Sequence, residues 1–189
     1  MLTEEFRRIK EAHGVALKKR AARGVLGPSV MRVFASGTRD ALLPVLADID
    51  IDAIRDVKNQ EEFSAWFDAN VERIARVVAR TNRDNRRIAP GTKWGHSTKI
   101  AALFVRDLVL SSRYFTDREV ALVSSFLYAP IDGVVMRRLR KLKIRLPFST
   151  IREIDTRAKF YKVQEILGRA AAECVVPRVW FDDNWGDRQ

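Results

Sequence analysis

The chain has 189 residues, and a 47% hydrophobic content with only 9 glycines and 6 prolines is typical of a packed globular protein, which excludes a disordered or fibrous chain. The 35 Lys and Arg outnumber the 24 Asp and Glu, and the formal charge of +11 favours a polyanionic partner such as DNA, RNA or acidic lipid over a partner-free basic surface. One cysteine, Cys174, and two histidines, His13 and His96, exclude an internal disulfide and leave almost no ligands for a zinc enzyme.

The length suits one domain over residues 1–189. Within it we expect N-terminal helices over residues 1–58 and the functional helices over residues 59–189. The charged start of the chain, and the lack of an apolar stretch near the ~20 residues that span a bilayer, predict neither a signal peptide nor a transmembrane helix. We therefore expect a cytoplasmic protein with no membrane partner, and no pattern indicates an oligomeric state.

The first predicted helix is capped by Thr3, extends to Arg23 and ends at Gly24. Its polar face is strongly basic, which is typical either of a phosphate-contacting element or of an ordinary solvated surface. The cations of that face are Arg7, Arg8, Lys10, Lys18, Lys19 and Arg20. Residues 29–56 then predict one or two short helices.

A long amphipathic helix follows Asn59, which forms a capping pair with Glu62. Apolar residues recur along it at three- and four-residue spacing, and this spacing predicts a buried core stripe. The stripe is Phe63, Trp66, Phe67, Val71, Ile74, Val77 and Val78. The helix ends in a basic connection over residues 81–93. The side chains of this connection that we expect to bind DNA are Arg86, Arg87 and Lys93.

Further helices are predicted in the second half of the chain. An apolar helix opens at Ser97 or Thr98 and continues to Leu110. The next helix has a capping box formed by Thr116 and Glu119. No alternating pattern indicates a strand, and the patterns together predict an all-α fold.

A short basic helix is predicted to start near Asp132. It mixes a buried seam with a dense set of cations, which favours a nearby polyanion, and we expect Arg137 and Arg138 to bind DNA. Thr150 and Glu153 form the capping pair of the last long helix, which leads into an aromatic C-terminal segment.

Two short strings carry a resemblance to a known family. Residues 95–101 read Gly-His-Ser-Thr-Lys-Ile-Ala, and residues 130–135 read Pro-Ile-Asp-Gly-Val-Val. In this order the strings resemble the helix-hairpin-helix DNA glycosylases, in particular the 8-oxoguanine glycosylases with lyase activity. The hairpin glycines are imperfect and the strings lie further apart than in the common bacterial and eukaryotic enzymes, which looks more like the archaeal 8-oxoguanine glycosylase group.

The resemblance implies an all-α, helix-hairpin-helix glycosylase-like bundle with a cleft, and it implies that Lys99 and Asp132 are the catalytic pair. A lysine near the start of an apolar helix meets the positive end of the helix dipole and partial desolvation, both of which disfavour its charge, and a neutral amine is a nucleophile. A carboxylate at a helix N-terminus stays ionised and stabilises positive charge that develops on a sugar. We expect the two side chains to face one cleft.

Two further sets of residues follow from the resemblance. A hairpin would contact phosphate through its backbone N–H groups, and its residues are Trp94, Gly95, His96 and Ser97. An extruded base would need aromatic and polar walls, for which the expected residues are Phe104, Pro130, Asp182, Asp183 and Trp185. No cofactor is required, although the resemblance allows a cation bound by hairpin carbonyls.

The sequence thus predicts a DNA glycosylase with lyase activity that removes an oxidised purine such as 8-oxoguanine from duplex DNA. Three alternatives stay open. The first is a noncatalytic helical DNA- or RNA-binding protein, in which Lys99 is one more phosphate contact. The second is a glycosylase-like component of a bacterial antiphage system, which acts on another modified base or a nucleotide. The third is a protein-interaction adaptor that does not bind DNA.

Overall fold

The prediction of an all-α fold is confirmed. The computed structural model describes residues 2–85, 88 and 93–183, and none of these residues lies in a strand. The helices are α1 (Leu2–Val25), α2 (Pro28–Met31), α3 (Thr38–Ala47), α4 (Gln60–Thr81), α5 (Lys93–Arg106), α6 (Asp117–Val123), α7 (Gly133–Lys141), α8 (Arg157–Glu173) and α9 (Trp180–Asp183). Short 3₁₀ helices lie at Asp52–Asp56 and Ile151–Glu153, and a π-helical turn, Asp107–Ser111, directly follows α5. No helix in the described ranges is long and apolar enough to cross a membrane.

Only the second half of α1 packs into the core. Leu17, Ala21, Ala22 and Val25 are buried, whereas residues 3–13 are exposed to solvent. Charge supports the helix at both ends, because acidic residues occupy its first turn and Arg23 its last, each complementing the helix dipole. The basic face predicted from the sequence therefore lies on a largely solvated helix.

The predicted stripe of α4 forms the centre of the core, and α4 packs along both α3 and α5. Its N-cap is Asn59, whose side chain accepts a hydrogen bond from the N–H of Glu62 at 2.9 Å. Trp66 departs from the prediction because it is only half-buried, and its Nε1 donates to the carbonyl of Asp50. The rest of the stripe is buried as predicted.

Aromatic rings connect α4 to the segment that precedes α7. Phe67 contacts both Tyr128 and Phe160, at centroid separations of 5.0 and 5.8 Å, and Tyr128 contacts Phe160 edge-on. Next to these rings, the buried side chain of Gln164 accepts a hydrogen bond from the N–H of Ala129 and donates one to its carbonyl. Buried backbone groups need such partners. The ring packing and this pair of hydrogen bonds therefore hold the backbone at Ala129 against α4 and α8, and Asp132 follows three residues further along the chain.

The start of α5 differs from the prediction. The helix begins at Lys93 and not at Ser97 or Thr98, so the string that resembles a hairpin lies inside its first turns. Gly95 lies in close contact with another segment: a Cβ there would lie 2.5 Å from the carbonyl oxygen of Ile151 and 2.8 Å from that of Ile154. The absence of a side chain lets the 151–154 turn pack directly on α5. Residues 95–98 are consequently buried.

Local capping was predicted well, with one correction at α8. Thr116 and Glu119 form the predicted capping box of α6. Thr150 and Glu153 also form their capping box, but it opens only the 3₁₀ helix Ile151–Glu153. Ile154 is buried in the core and turns the chain, so α8 starts at Arg157 with Thr156 as a new N-cap. The sequence thus predicted the Thr150–Glu153 capping box correctly, but the helix that this box opens ends after one turn, where Ile154 packs into the core.

Gly95→Ala is expected to destabilise the protein by about 1–3 kcal/mol, the usual cost of overpacking, because the added methyl group meets backbone carbonyls that cannot rotate away. Urea denaturation of the variant measures the change in the free energy of unfolding. Gly24→Ala is the matched control: nothing lies within 4 Å of its added Cβ, and alanine should stabilise α1 by about 0.5–1 kcal/mol. Equal effects of the two substitutions would contradict the close packing assigned to Gly95.

Candidate active site

The structure brings Lys99 and Asp132 into direct contact. Lys99 lies on α5 and Asp132 immediately precedes α7, 33 residues further along the chain. Lys99 Nζ donates a hydrogen bond to Asp132 Oδ2 at 3.0 Å. The side chains are 18% and 29% exposed, so the ion pair is partly desolvated and can still be reached from solvent.

Asp132 uses its second oxygen to cap α7. Oδ1 accepts hydrogen bonds from the N–H groups of Val134 and Val135 at 2.8 and 2.9 Å. Burial by itself raises the pKa of this carboxyl group, but the Lys99 charge and the backbone N–H bonds outweigh burial, so the pKa lies below its usual value. The carboxylate is therefore ionised at neutral pH and fixed in orientation, with one oxygen on the helix and the other on the lysine.

A half-exposed face of α5 continues from Lys99 towards the C-terminal segment. Leu103 and Arg106 follow Lys99 at helical spacing on this face. Arg106 forms ion pairs with Asp107, at 2.8 Å, and with Asp182 of α9. Two helical turns correspond to about 10 Å, so the backbone of Arg106 lies roughly that far along α5 from that of Lys99. Sequence reasoning missed Arg106, although its seven-residue spacing from Lys99 was available as a signal.

The residues predicted to line a base pocket separate into three groups. Phe104 is fully buried and Pro130 is buried, so both occupy core positions. Asp182 is on the Lys99 side of α5, but its carboxylate is paired with Arg106. The side chain of Asp183 and all of Trp185 lie outside the described residues.

The residues predicted to form a DNA-contacting hairpin do not form an exposed loop. Gly95, His96 and Ser97 lie within α5 and are buried, and the ring of His96 packs edge-on against Phe34. Trp94 is half-buried. The predicted phosphate contacts of Gly95, His96 and Ser97 are therefore corrected, because these residues lie within a helix and are buried, with the 151–154 turn packed on Gly95 and Phe34 on His96. Arg86, Arg87 and the side chain of Lys93 lie outside the described residues.

Two buried polar atoms at the start of α5, Nε1 of Trp94 and Oγ of Ser97, have no hydrogen-bond partner among the described residues. Within residues 2–85, 88 and 93–183, no cluster of three His, Cys, Asp or Glu side chains could hold a metal ion. A cation held by backbone carbonyls would leave no such cluster.

The surface of α7 beside the ion pair is strongly basic. Asp132 and Glu153 bracket a segment that contains no Asp or Glu. Its cations are Arg137, Arg138, Arg140, Lys141, Lys143, Arg145 and Arg152. Arg137 and Lys141 lie one turn apart on the exposed face of α7, and Arg138 is half-buried. A polyanion that approaches the ion pair from this side would meet a continuous positive surface.

Comparison with protein-family models, curated proteins and solved structures gave no match to this chain. The resemblance to the glycosylases therefore depends on the two strings and on the geometry of the residues within them.

Asp132→Asn tests the charge of Asp132 apart from its capping role, since asparagine also caps helices well. The folded protein lowers the pKa of Asp132, so the carboxylate contributes stability that is present above its ordinary value of 3.8 and is lost as the pH falls below that value. We expect the wild type to be more stable than Asp132→Asn at neutral pH and to lose this advantage in acid. Urea denaturation of both proteins across a pH series measures it. A stability difference that stays constant across the pH series would contradict the charge contribution assigned to Asp132.

Proposed function

We propose that this protein is a DNA glycosylase with associated lyase activity, in which Lys99 is the nucleophile and Asp132 its electrostatic partner. The contact between Lys99 and Asp132 is the observation that carries the proposal. An amine and an ionised carboxylate lie together at a partly desolvated position, next to a cationic helix face. The expected substrate is an oxidised purine such as 8-oxoguanine in duplex DNA.

The proposed chemistry uses both side chains. The Lys99 ammonium first gives up a proton to solvent. The neutral amine then attacks the sugar carbon that bears the base, and the N-glycosidic bond breaks with its electron pair leaving on the base. The departing base takes up a proton from the attached amine. Ring opening of the sugar then gives a Schiff base, from which loss of a neighbouring C–H proton expels the 3′ phosphate. Asp132, held ionised by α7, stabilises positive charge on the sugar and on the imine nitrogen.

One observation favours a noncatalytic alternative. In the structure the Lys99 side chain is engaged by the Asp132 carboxylate, so its Nζ is not free to attack a substrate. In a pure nucleic-acid-binding protein the same pair would join α5 to α7 and would do no chemistry. Covalent trapping distinguishes the two functions.

Borohydride trapping on labelled duplexes that contain 8-oxoguanine, an abasic site or undamaged guanine tests the nucleophile. The wild type is expected to form a covalent adduct with damaged DNA, and Lys99→Gln none, because borohydride reduces only a Schiff base. Lys99→Arg is the matched variant, since a guanidinium keeps the positive charge beside Asp132 but forms no Schiff base. We expect it to bind DNA and leave no adduct.

Adducts of equal yield from wild type and Lys99→Arg would remove Lys99 from the mechanism. Tight DNA binding by the wild type without adduct or base release on any of the duplexes would favour the noncatalytic function.

The basic face of α7 should account for much of the salt dependence of DNA binding. The triple variant Arg137→Gln, Arg140→Gln, Lys141→Gln is expected to lower the magnitude of the slope of log K against log salt by about two to three, since each lost phosphate contact removes about 0.9. Fluorescence anisotropy at several salt concentrations measures the slope. The matched control is Lys19→Gln, Arg20→Gln, Arg23→Gln on α1, which removes the same charge. A larger loss in the control would assign the phosphate contacts to α1.

A further inference from the structure

A cavity of about 570 Å³ lies between the start of α4, the outer face of α8 and the residues before α9. Its polar lining includes Gln60, Ser64, Tyr128, Tyr161, Lys162 and Arg178. Neither Lys99 nor Asp132 lines it. The mechanism proposed above makes no use of these residues.

Arg178 is the unusual residue of this cavity because all of its hydrogen-bond acceptors are neutral. Nε donates to the carbonyl of Leu127 at 3.0 Å, and Nη2 donates to the carbonyl of Phe126 at 2.9 Å and to the amide oxygen of Gln60. These bonds use three of the five N–H groups of a guanidinium. Both N–H groups of Nη1 are left without an acceptor among the described residues.

The positive charge of Arg178 is only weakly compensated. Burial lowers the pKa of the guanidinium, and in the described part of the chain no carboxylate lies within ion-pair distance of it. The ring of Tyr128 lies 4.5 Å below the charge and offers a cation–π contact, a smaller compensation than a carboxylate gives. A desolvated cation without a counter-ion is costly, and such groups are enriched at functional sites.

The hydroxyl groups around the cavity are already used within the protein. Tyr128 and Ser64 are joined by a 2.5 Å hydrogen bond, and Tyr161 donates to Asp68 at 2.7 Å. The donors that are left for a ligand are therefore cationic: Nη1 of Arg178 and the exposed ammonium of Lys162. Both are typical phosphate-binding groups.

The carboxylate of α8 that lines the cavity is held by another residue. Glu165 lines the cavity, but it forms an ion pair with Arg169, one turn further along the helix. Gly168, on the same side of α8, leaves room for Nη1, which lies 3.9 Å from the position of its missing Cβ. Glu165 is thus a competitor for Arg178 that Arg169 restrains.

We propose that this cavity binds a phosphate group between Arg178 and Lys162, separately from the Lys99–Asp132 site. A phosphate oxygen would accept the two N–H bonds of Nη1, and a second oxygen would contact Lys162. The phosphate could come from a free nucleotide or from the DNA backbone beyond the reactive nucleotide, since both present the same oxygens. The proposal stands or falls independently of the glycosylase chemistry.

NMR titration of the backbone amide and arginine Nε–H signals with sodium phosphate, at constant ionic strength, tests the site. The wild type is expected to show saturable binding. Lys162→Gln and Arg178→Gln should weaken it by about tenfold or more, the loss of a charge-assisted hydrogen bond. Glu165→Gln should tighten binding because it removes the competing carboxylate. Lys159→Gln, on α8 but not lining the cavity, is the charge-matched control and should bind as the wild type does.

Two further probes identify the source of the phosphate. Deoxyadenosine 5′-monophosphate and a duplex oligonucleotide are titrated into wild type and Lys162→Gln. Weaker mononucleotide binding with unchanged DNA binding supports a free nucleotide, and weaker binding of both supports a backbone phosphate.

No saturable phosphate binding by the wild type, or equal affinities in the wild type, Lys162→Gln and Glu165→Gln, would overturn the proposal. Lys162 and Glu165 are surface residues, so this result can be obtained even if Arg178→Gln fails to fold.

Discussion

A single carboxylate, that of Asp132, joins two parts of the structure on which the candidate site depends. Its Oδ1 accepts the first N–H groups of α7, and its Oδ2 accepts the ammonium of Lys99 on α5. A helix N-terminus, a lysine and a carboxylate are each common features of a protein surface. They come together here because the Asp132 side chain binds both the N-terminus of α7 and the Lys99 ammonium. The aromatic rings around Tyr128 and the side-chain amide of Gln164 hold the segment that carries Asp132 in position.

The Lys99–Asp132 ion pair is neither fully buried nor fully exposed. Fully buried pairs lose much of their Coulomb attraction to desolvation, and fully exposed pairs contribute little stability. Exposures of 18% and 29% lie between these limits. The pair is close enough to the core to be oriented, and a ligand can still displace it. In the proposed glycosylase the lysine must separate from its counter-ion, and this intermediate burial is compatible with that step.

Positive charge occurs in two different forms in this molecule. On α7 it is exposed and repeated along the helix, which suits long-range attraction of a polyanion. At Arg178 it is single, partly desolvated and bonded to neutral acceptors, which suits recognition of one anionic group at short range. Net charge alone does not distinguish these forms, because it counts the residues and ignores their surroundings.

The sequence by itself determined the all-α fold, the core stripe of α4 and the caps at Asn59, Thr116 and Asp132, because periodicity and capping depend on residues a few positions apart. It also singled out Lys99 and Asp132, whose contact the tertiary structure then supplied. Only the tertiary structure decided that α5 starts at Lys93, that the string around His96 is buried, and that the Thr150 box opens a 3₁₀ helix instead of α8. The burial of this string involves contacts with distant segments, since the 151–154 turn packs on Gly95, more than 50 residues away in sequence, and Phe34 packs on His96. The setting of Arg178 was likewise beyond sequence reasoning, since burial and the absence of a nearby carboxylate depend on distant segments that only folding brings together.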